Sequence, residues 1–156
     1  MMMDARQHGL RTVVLRLSNV YGALDDHPDR VVPAFARAAA RGEVLRVDGR
    51  DHTFDFCHLR DTVDGFLRAV AHLIRGGEPL TLQLTTGIPT RLGELADLAV
   101  TISGGRGSIR EAPPRDYDVT RFWGDPDQAF RELGWRPNVS LIDGLRGLIA
   151  HWSEVG

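Results

Sequence analysis

Residues 13–22, Val-Val-Leu-Arg-Leu-Ser-Asn-Val-Tyr-Gly, constrain the fold more than any other stretch. Val13, Val14, Leu15 and Leu17 form a short apolar run rich in β-branched residues, which predicts a strand. The run ends in polar punctuation at Ser18, Asn19, Tyr21 and Gly22. A strand buried on both faces that stops at small polar groups is the pattern of a parallel sheet, where ligands sit just beyond the carboxyl ends of the strands. On that reading Asn19 faces a ligand, because its amide both donates and accepts. On the alternative reading Asn19 and Gly22 only build a turn.

The rest of the chain alternates helix and strand signals. Residues 1–9 read as the last turns of a helix stopped by Gly9. With no cap and no preceding element, that helix is expected of a chain cut from a longer one; an ordinary frayed terminus is the alternative. Pro28 suits the first position of a helix whose apolar residues are Val31, Val32, Phe35, Ala38 and Ala39, ending at Gly42. Residues 44–47 form a short strand before the Asp48-Gly49 turn. Phe54, Phe56 and Leu59 put aromatic and apolar bulk on one face of an extended piece.

A helix from about Arg60 carries the stripe Val63, Phe66, Leu67, Val70, Ala71 and Ile74, stopped by Gly76-Gly77. Residues 80–84 alternate as a half-buried strand, and Leu92, Leu95, Ala96, Ala99 and Val100 mark the next helix. A short strand over 106–112 is broken by Pro113-Pro114. Asp125-Pro126-Asp127-Gln128 starts a helix with an Asp cap and Pro at the first position, and Gly134 ends it. Ser140 with Asp143 caps a last helix striped by Leu141, Leu145, Leu148, Ile149 and Trp152. The class is α/β.

Composition narrows the function classes. A formal net charge of −2 gives no electrostatic case for nucleic acid or an anionic membrane. No apolar run is long enough to span a bilayer, and no signal peptide pattern is present. The single cysteine, Cys57, excludes an internal disulfide and fits a reducing cytoplasm.

Several residues carry candidate chemistry. His52, Asp55, Cys57 and His58 crowd one stretch, but their spacing matches no zinc pattern and neighbours on a strand point to opposite faces, so no metal is assigned. Cys57 has no identifiable partner that would make it a nucleophile. Gly104-Gly105-Arg106-Gly107 leads into no helix and reads as a loop rather than a phosphate cradle. Arg110, Arg115 and Arg121 are able to bind an anion bidentately; a solvated surface role is the alternative.

The segment Arg16-Leu17-Ser18-Asn19-Val20-Tyr21-Gly22 resembles the Arg-x-x-Asn-x-Tyr-Gly segment of the extended short-chain dehydrogenase/reductases, the family of NAD-dependent nucleotide-sugar epimerases and dehydratases. The likeness runs on in order. Residues 32–49, beginning Val32-Pro33-Ala34-Phe35, resemble the family's substrate-lobe helix and strand. Asp55-Phe56-Cys57-His58-Leu59-Arg60-Asp61 is similar to its Asp-Phe-x-His-x-x-Asp element. Gln83, Thr85 and Gly87 partly match its Asn-x-Gly-x-Gly stretch. Arg115-Asp116-Tyr117-Asp118-Val119 resembles its Arg-Pro-Gly-Asp-Val, and Leu133-Gly134-Trp135-Arg136-Pro137 its usual ending.

The resemblance implies the carboxyl-terminal part of a doubly wound NAD(P)-binding Rossmann fold plus a small α/β substrate lobe. Residues 1–24 would be the last part of the Rossmann core, and residues 25–156 mainly the lobe with segments returning to the core. It implies NAD or NADP as cofactor, contacted at Leu17 and Ser18. It implies a nucleotide-sugar-like ligand, contacted at Asn19, Val31, Arg46, Asp48 and Arg115. The family's glycine-rich loop and Tyr-x-x-x-Lys pair lie upstream of the matched region, so no residue here is expected to be catalytic and the chain by itself is expected to be inactive. A homodimer or an amino-terminal half would be its protein partner. Two departures bear on the pocket. Asp48 stands where many relatives have a stacking aromatic residue, and Phe54 where relatives often have an Arg on phosphate. Arg50 or His52 would have to compensate.

Overall fold

The computed structural model describes residues 8–114 and 119–155. Nine strands and five helices appear among these residues. β1 (Val13–Leu17) and β2 (Asn19–Tyr21) are two parts of one extended run interrupted at Ser18. The interruption marks a change of partner. β1 pairs in parallel with β6 (Leu80–Leu84), whereas β2 pairs in parallel with β5 (Phe56–His58). β3 (Val44–Asp48) pairs in parallel with β8 (Ser108–Ala112). β4 (Thr53–Phe54) lies between β7 (Thr90–Arg91), antiparallel, and β9 (Arg121–Phe122), parallel. The α/β class with parallel pairing follows the sequence.

The helices are α1 (Val31–Arg41), α2 (Leu59–Ile74), α3 (Leu92–Ile102), α4 (Asp127–Leu133) and α5 (Leu141–Val155). They divide between two cores. In the first, α1, α3 and α5 close over β3 and β5 with Val32, Phe35, Ala36, Leu45, Val47, Leu95, Leu145 and Leu148. In the second, α2 and α4 close over the β1–β6 pair around Cys57, Leu82, Leu84, Leu133 and Trp135. The Trp135 indole N–H donates to the Asp61 carbonyl at 2.9 Å, so the largest side chain of this core is also satisfied as a donor.

Four expectations need correction. Pro28 is not the first residue of α1, which begins three residues later with Arg30 as its cap. Pro33 takes the first-turn place instead, where a missing N–H costs nothing. Gly42, at φ 71°, closes that helix as expected, its N–H bonding back to the last turn. Pro126 likewise stands just outside α4 rather than at its first position, and the Asp125 carboxylate accepts from Asp127 N at 2.9 Å. β1 is not buried on both faces. Its residues are half-buried or exposed, because among the described residues it pairs with β6 alone.

The largest correction concerns α2. Its apolar stripe, Val63, Phe66, Leu67, Val70 and Ile74, points outward and is exposed, and Leu59 at its start is exposed with it. The inward face is Asp61, Thr62, Gly65 and Ala69. Gly65 explains the inversion: a Cβ there would lie 2.5 Å from Cδ1 of the fully buried Leu84, so the helix approaches β6 on its smallest residues. Residues 1–7, expected as the end of a helix, lie outside the described residues. No helix of the described residues is long and apolar enough to cross a membrane.

Candidate functional site

The main cavity, about 730 Å3, opens between the first core and the amino end of β2. Its floor is aromatic. Phe35 comes from α1, Phe54 and Phe56 from β4 and β5, and the buried His52 from the turn before them. These rings meet edge to face, His52 with Phe54 and Phe54 with Phe56, with centroids 6.4 Å apart in each pair. Leu92 of α3 and Val119 complete the apolar lining. The rim is charged, with Asp29, Glu43 and Asp48 against Arg37 and Arg46.

Strand alternation places the rim residues. Leu45 and Val47 point into the core, so Arg46 and Asp48 share the opposite face of β3. The two are paired, with Arg46 Nε donating to Asp48 Oδ1 at 2.8 Å. A guanidinium already bound to a carboxylate offers less attraction to an anion than a free one. Arg37 is also engaged, its Nη2 donating to the Pro28 carbonyl at 2.8 Å.

Asn19 sits at the inner end of the cavity, where the chain leaves β6 for β5. Its backbone N–H donates to the Asp55 carbonyl at 3.1 Å, and its side-chain Nδ2 reaches the same oxygen at 3.4 Å. Asp55 in turn is fully buried and held by three donors. Thr86 N and Thr86 Oγ1 donate to Oδ1 at 2.9 and 2.8 Å, and Gly87 N donates to Oδ2 at 2.8 Å. These bonds make Asp55 a brace between the floor of the cavity and the exit of β6. A smaller recess of about 190 Å3 adjoins the main cavity and shares Asn19, Val31 and Phe56 with it.

Of the ligand residues expected from the sequence, Asn19, Val31, Arg46 and Asp48 all line this one cavity. Arg115 lies outside the described residues. Leu17 and Ser18 are not in the lining; Leu17 ends β1 and Ser18 follows it. Leu17 is partly exposed and the Ser18 hydroxyl is buried without a hydrogen-bond partner. A half-exposed leucine and an unpaired hydroxyl at a strand end fit the edge of a planar, hydrogen-bonding ring such as nicotinamide. Arg110 and Arg121 are exposed.

Arg50 cannot compensate for Phe54. Its guanidinium is spent on Asp97 and Glu111, both at 2.8 Å, away from the cavity. His52 does line the cavity. Sequence reading missed Phe35, Arg37 and Glu43 as lining residues. Val31, Phe35 and Ala38 stand at helical spacing, which was the available signal for one face of α1 turning toward a ligand.

Other candidate chemistry is absorbed by structure. Burial pushes the Cys57 thiol up to about 11, and Thr62 Oγ1 contacts its sulfur at 3.6 Å, so it is not a ready nucleophile. Burial raises Tyr21 far above an ordinary phenol, with Cys57, Asp61 and Asp143 acting in the same sense; its hydroxyl donates to the Ser140 carbonyl at 3.5 Å. His58 is lowered from 6.5 chiefly by burial, with Arg60 adding to the shift and Asp61 opposing it, and its Nδ1 accepts from Arg60 N at 3.1 Å as the cap of α2.

Comparison with known proteins places this geometry. The model of a family described as "NAD dependent epimerase/dehydratase family" matches residues 3–84. UDP-glucose 4-epimerase from Rhizobium meliloti is 33% identical over 151 residues, covering 85% of this chain and 45% of that protein. UDP-glucuronic acid decarboxylase 3 from Arabidopsis thaliana is 31% identical over 142 residues, covering 90% of this chain and 40% of that protein. The structure of UDP-glucose 4-epimerase from Thermotoga maritima with UDP-glucose superposes with a TM-score of 0.89 at 30% identity, over 99% of this chain and 50% of the other. The chain therefore has the Rossmann-like architecture of these enzymes and spans about half the length of the relatives it matches.

Proposed function

Because this chain belongs to the NAD-dependent epimerase/dehydratase family, the extended short-chain dehydrogenase/reductases, we propose that it is the substrate-binding half of a nucleotide-sugar epimerase- or dehydratase-like protein. One observation carries the reading: Asn19, Val31, Arg46 and Asp48, picked out from the sequence as ligand residues, line a single cavity large enough for a nucleotide sugar. Residues 1–24 are assigned to the end of the Rossmann core and residues 25–156 to the lobe. In this reading Asn19 meets the ligand near its phosphates, Val31, Arg46 and Asp48 lie near the base, and Arg115 holds the phosphate or ribose side. Leu17 and Ser18 border the nicotinamide of NAD or NADP, which supplies the hydride chemistry when bound.

The chain alone is proposed to be catalytically silent. All 19 of its basic residues are arginine, so a Tyr-x-x-x-Lys pair cannot be assembled within it. Tyr21, with its raised phenol, is no substitute as a proton donor near neutral pH.

The rim charges favour a second reading, a module that binds a small sugar or nucleotide without catalysis. Three carboxylates face two guanidiniums, and Arg46 is paired to Asp48. Such a rim suits a ligand of lower charge than a diphosphate. Calorimetry of the chain against UDP-glucose, UDP, glucose and NAD decides between them. The nucleotide-sugar reading expects UDP-glucose and UDP to bind, glucose and NAD not to bind at micromolar concentration, and Arg115→Ala to weaken UDP. Glucose binding as well as UDP-glucose would establish the second reading, and micromolar NAD binding would overturn the first.

A further inference from the structure

Three phenyl rings and one imidazole make the floor of the cavity, and of these four side chains only His52 is polar. Its place is set by the backbone on both sides of it. Gly49, at φ 74°, turns the chain out of β3, and His52 N donates to the Gly49 carbonyl at 2.9 Å. The His52 carbonyl accepts from Leu92 N at 2.9 Å, and the Arg50 carbonyl accepts from Gly93 N at 3.0 Å. The turn is therefore tied at two points to the start of α3. A Cβ on residue 49 would fall 2.8–2.9 Å from three atoms of the imidazole, so the glycine leaves the room that the ring occupies. Phe54 meets the ring edge to face.

His52 is 7% exposed, yet neither of its ring nitrogens hydrogen-bonds to a described residue. Nor are these nitrogens sealed from solvent, as the hydroxyls of Ser18 and Thr85 are. They reach the space that the ring lines, which is the cavity. A buried polar group without a partner is unfavourable, and a phenyl ring would fill the same seat without that penalty. A pinned, nine-tenths buried imidazole turned to an open cavity is a group whose partner is the ligand.

We infer that His52 reads the polar edge of a nucleobase that lies on the phenylalanine floor, one ring nitrogen hydrogen-bonding to the base. The surroundings select this part of a ligand over the others. A phosphate calls for unengaged positive charge, but Phe54 and Phe56 offer none, and the lining guanidiniums of Arg37 and Arg46 are engaged. Three carboxylates at the rim oppose an anion further. A sugar carries hydroxyls around its whole ring and calls for several polar partners, where the floor has one. A base confines its polar atoms to its edge and presents a flat face that aromatic side chains hold by stacking. His52 is thereby a specificity residue for the nucleoside portion. The inference deepens the proposed function and rests on its premise that the cavity takes a nucleotide.

The test is calorimetry of the chain with uridine, UMP, UDP, UDP-glucose and glucose, on the wild type, His52→Phe and His52→Gln. His52→Phe should weaken uridine, UMP, UDP and UDP-glucose by the same factor, about tenfold, because one hydrogen bond to the base is lost from each. His52→Gln, which keeps a donor and an acceptor, should recover most of that factor. A second measurement needs no variant. The ring nitrogens of His52 are followed by long-range proton–nitrogen correlation in the wild type, assigned through their contact with the Phe54 ring. One of them should shift as uridine is added, while those of the exposed His27 stay in place.

Unchanged affinity in His52→Phe overturns the inference, and so does a His52 ring that does not respond to uridine. A loss confined to the phosphorylated ligands overturns it too, because His52 would then serve the phosphate. Glucose binding that depends on His52 overturns it in favour of a sugar on the floor. The two levels fail separately. UDP-glucose bound tightly and equally by wild type and His52→Phe leaves the nucleotide-sugar reading standing without this inference. Uridine bound through His52, with UDP-glucose no tighter than uridine, leaves this inference standing without the nucleotide-sugar reading.

Discussion

α1 and α2 carry equally clear apolar stripes, yet one is buried and the other faces solvent. In α1 the stripe is interleaved with alanines, so Val32, Phe35, Ala36, Ala39 and Ala40 sink together into the first core. In α2 the opposite face holds Gly65 and Ala69, the two smallest side chains available, together with Asp61, whose carboxylate accepts from Val139 N at 3.0 Å. Backbone proximity and hydrogen bonds hold α2 in place, and its large side chains are left over. An apolar stripe therefore identifies a helix and a face that needs covering, without saying what covers it.

Paired phenylalanines give the sharpest test of that contrast. Phe35 is 4% exposed and Phe66 46% exposed. Phe35→Ala should cost about 3–5 kcal/mol in urea unfolding, and Phe66→Ala should cost less than about 1 kcal/mol in the isolated chain. Equal losses would mean that α2 is packed against something within this chain.

The close approach of α2 to β6 is tested by Gly65→Val. A β-branched side chain 2.5 Å from Leu84 Cδ1 must push the helix outward, with an expected loss of about 1–3 kcal/mol. The same change at Gly147, where a Cβ meets nothing within 4 Å, should cost only what helix propensity dictates, within about 1 kcal/mol.

Smaller still is the pH effect at the start of α2. His58 is lowered in the folded chain from 6.5, so the unfolded chain takes up this proton more readily. Its contribution is fully present above 6.5 and is lost as pH falls from there through the lowered folded value. Protonation also removes the Nδ1 acceptor that caps Arg60 N, a bond worth on the order of 1 kcal/mol. Denaturant midpoints at pH 7.5 and then at stepwise lower pH should show that loss, and His58→Asn, which caps without titrating, should reduce it. Least of all, Asp64→Ala, which breaks an exposed pair with Arg68, should change stability by about 0.5 kcal/mol or less.

Much of this was legible in the sequence where local chemistry decides. The end of β1 before Ser18, the Gly42 stop, the Ser140–Asp143 cap and the short strand from Val44 rest on near neighbours, and each is found in the structure. Of the proposed ligand residues, Asn19 was reached from the strand end and Val31, Arg46 and Asp48 through family resemblance, and the four share one cavity because β2, α1 and β3 converge. What was not legible depends on distant partners. Nothing near Arg50 announces that Asp97 and Glu111 will claim its guanidinium. Nothing near Asp55 announces its three donors across the β6 exit. The direction in which the α2 stripe points was hidden for the same reason, since it is set by Leu84.

Cys57 turns the arrangement of two cores into something that can be timed. It is the chain's one thiol, has no exposure to solvent, and sits in the core beneath α2 rather than in the core beneath α1. A maleimide or disulfide reagent reaches it only when that core opens, and opening also removes the burial that raises the thiol in the closed core. Its modification rate is a built-in clock for one half of the molecule, silent to fluctuations of the cavity. Compared with the global unfolding rate, it reports whether the two cores come apart together or in sequence.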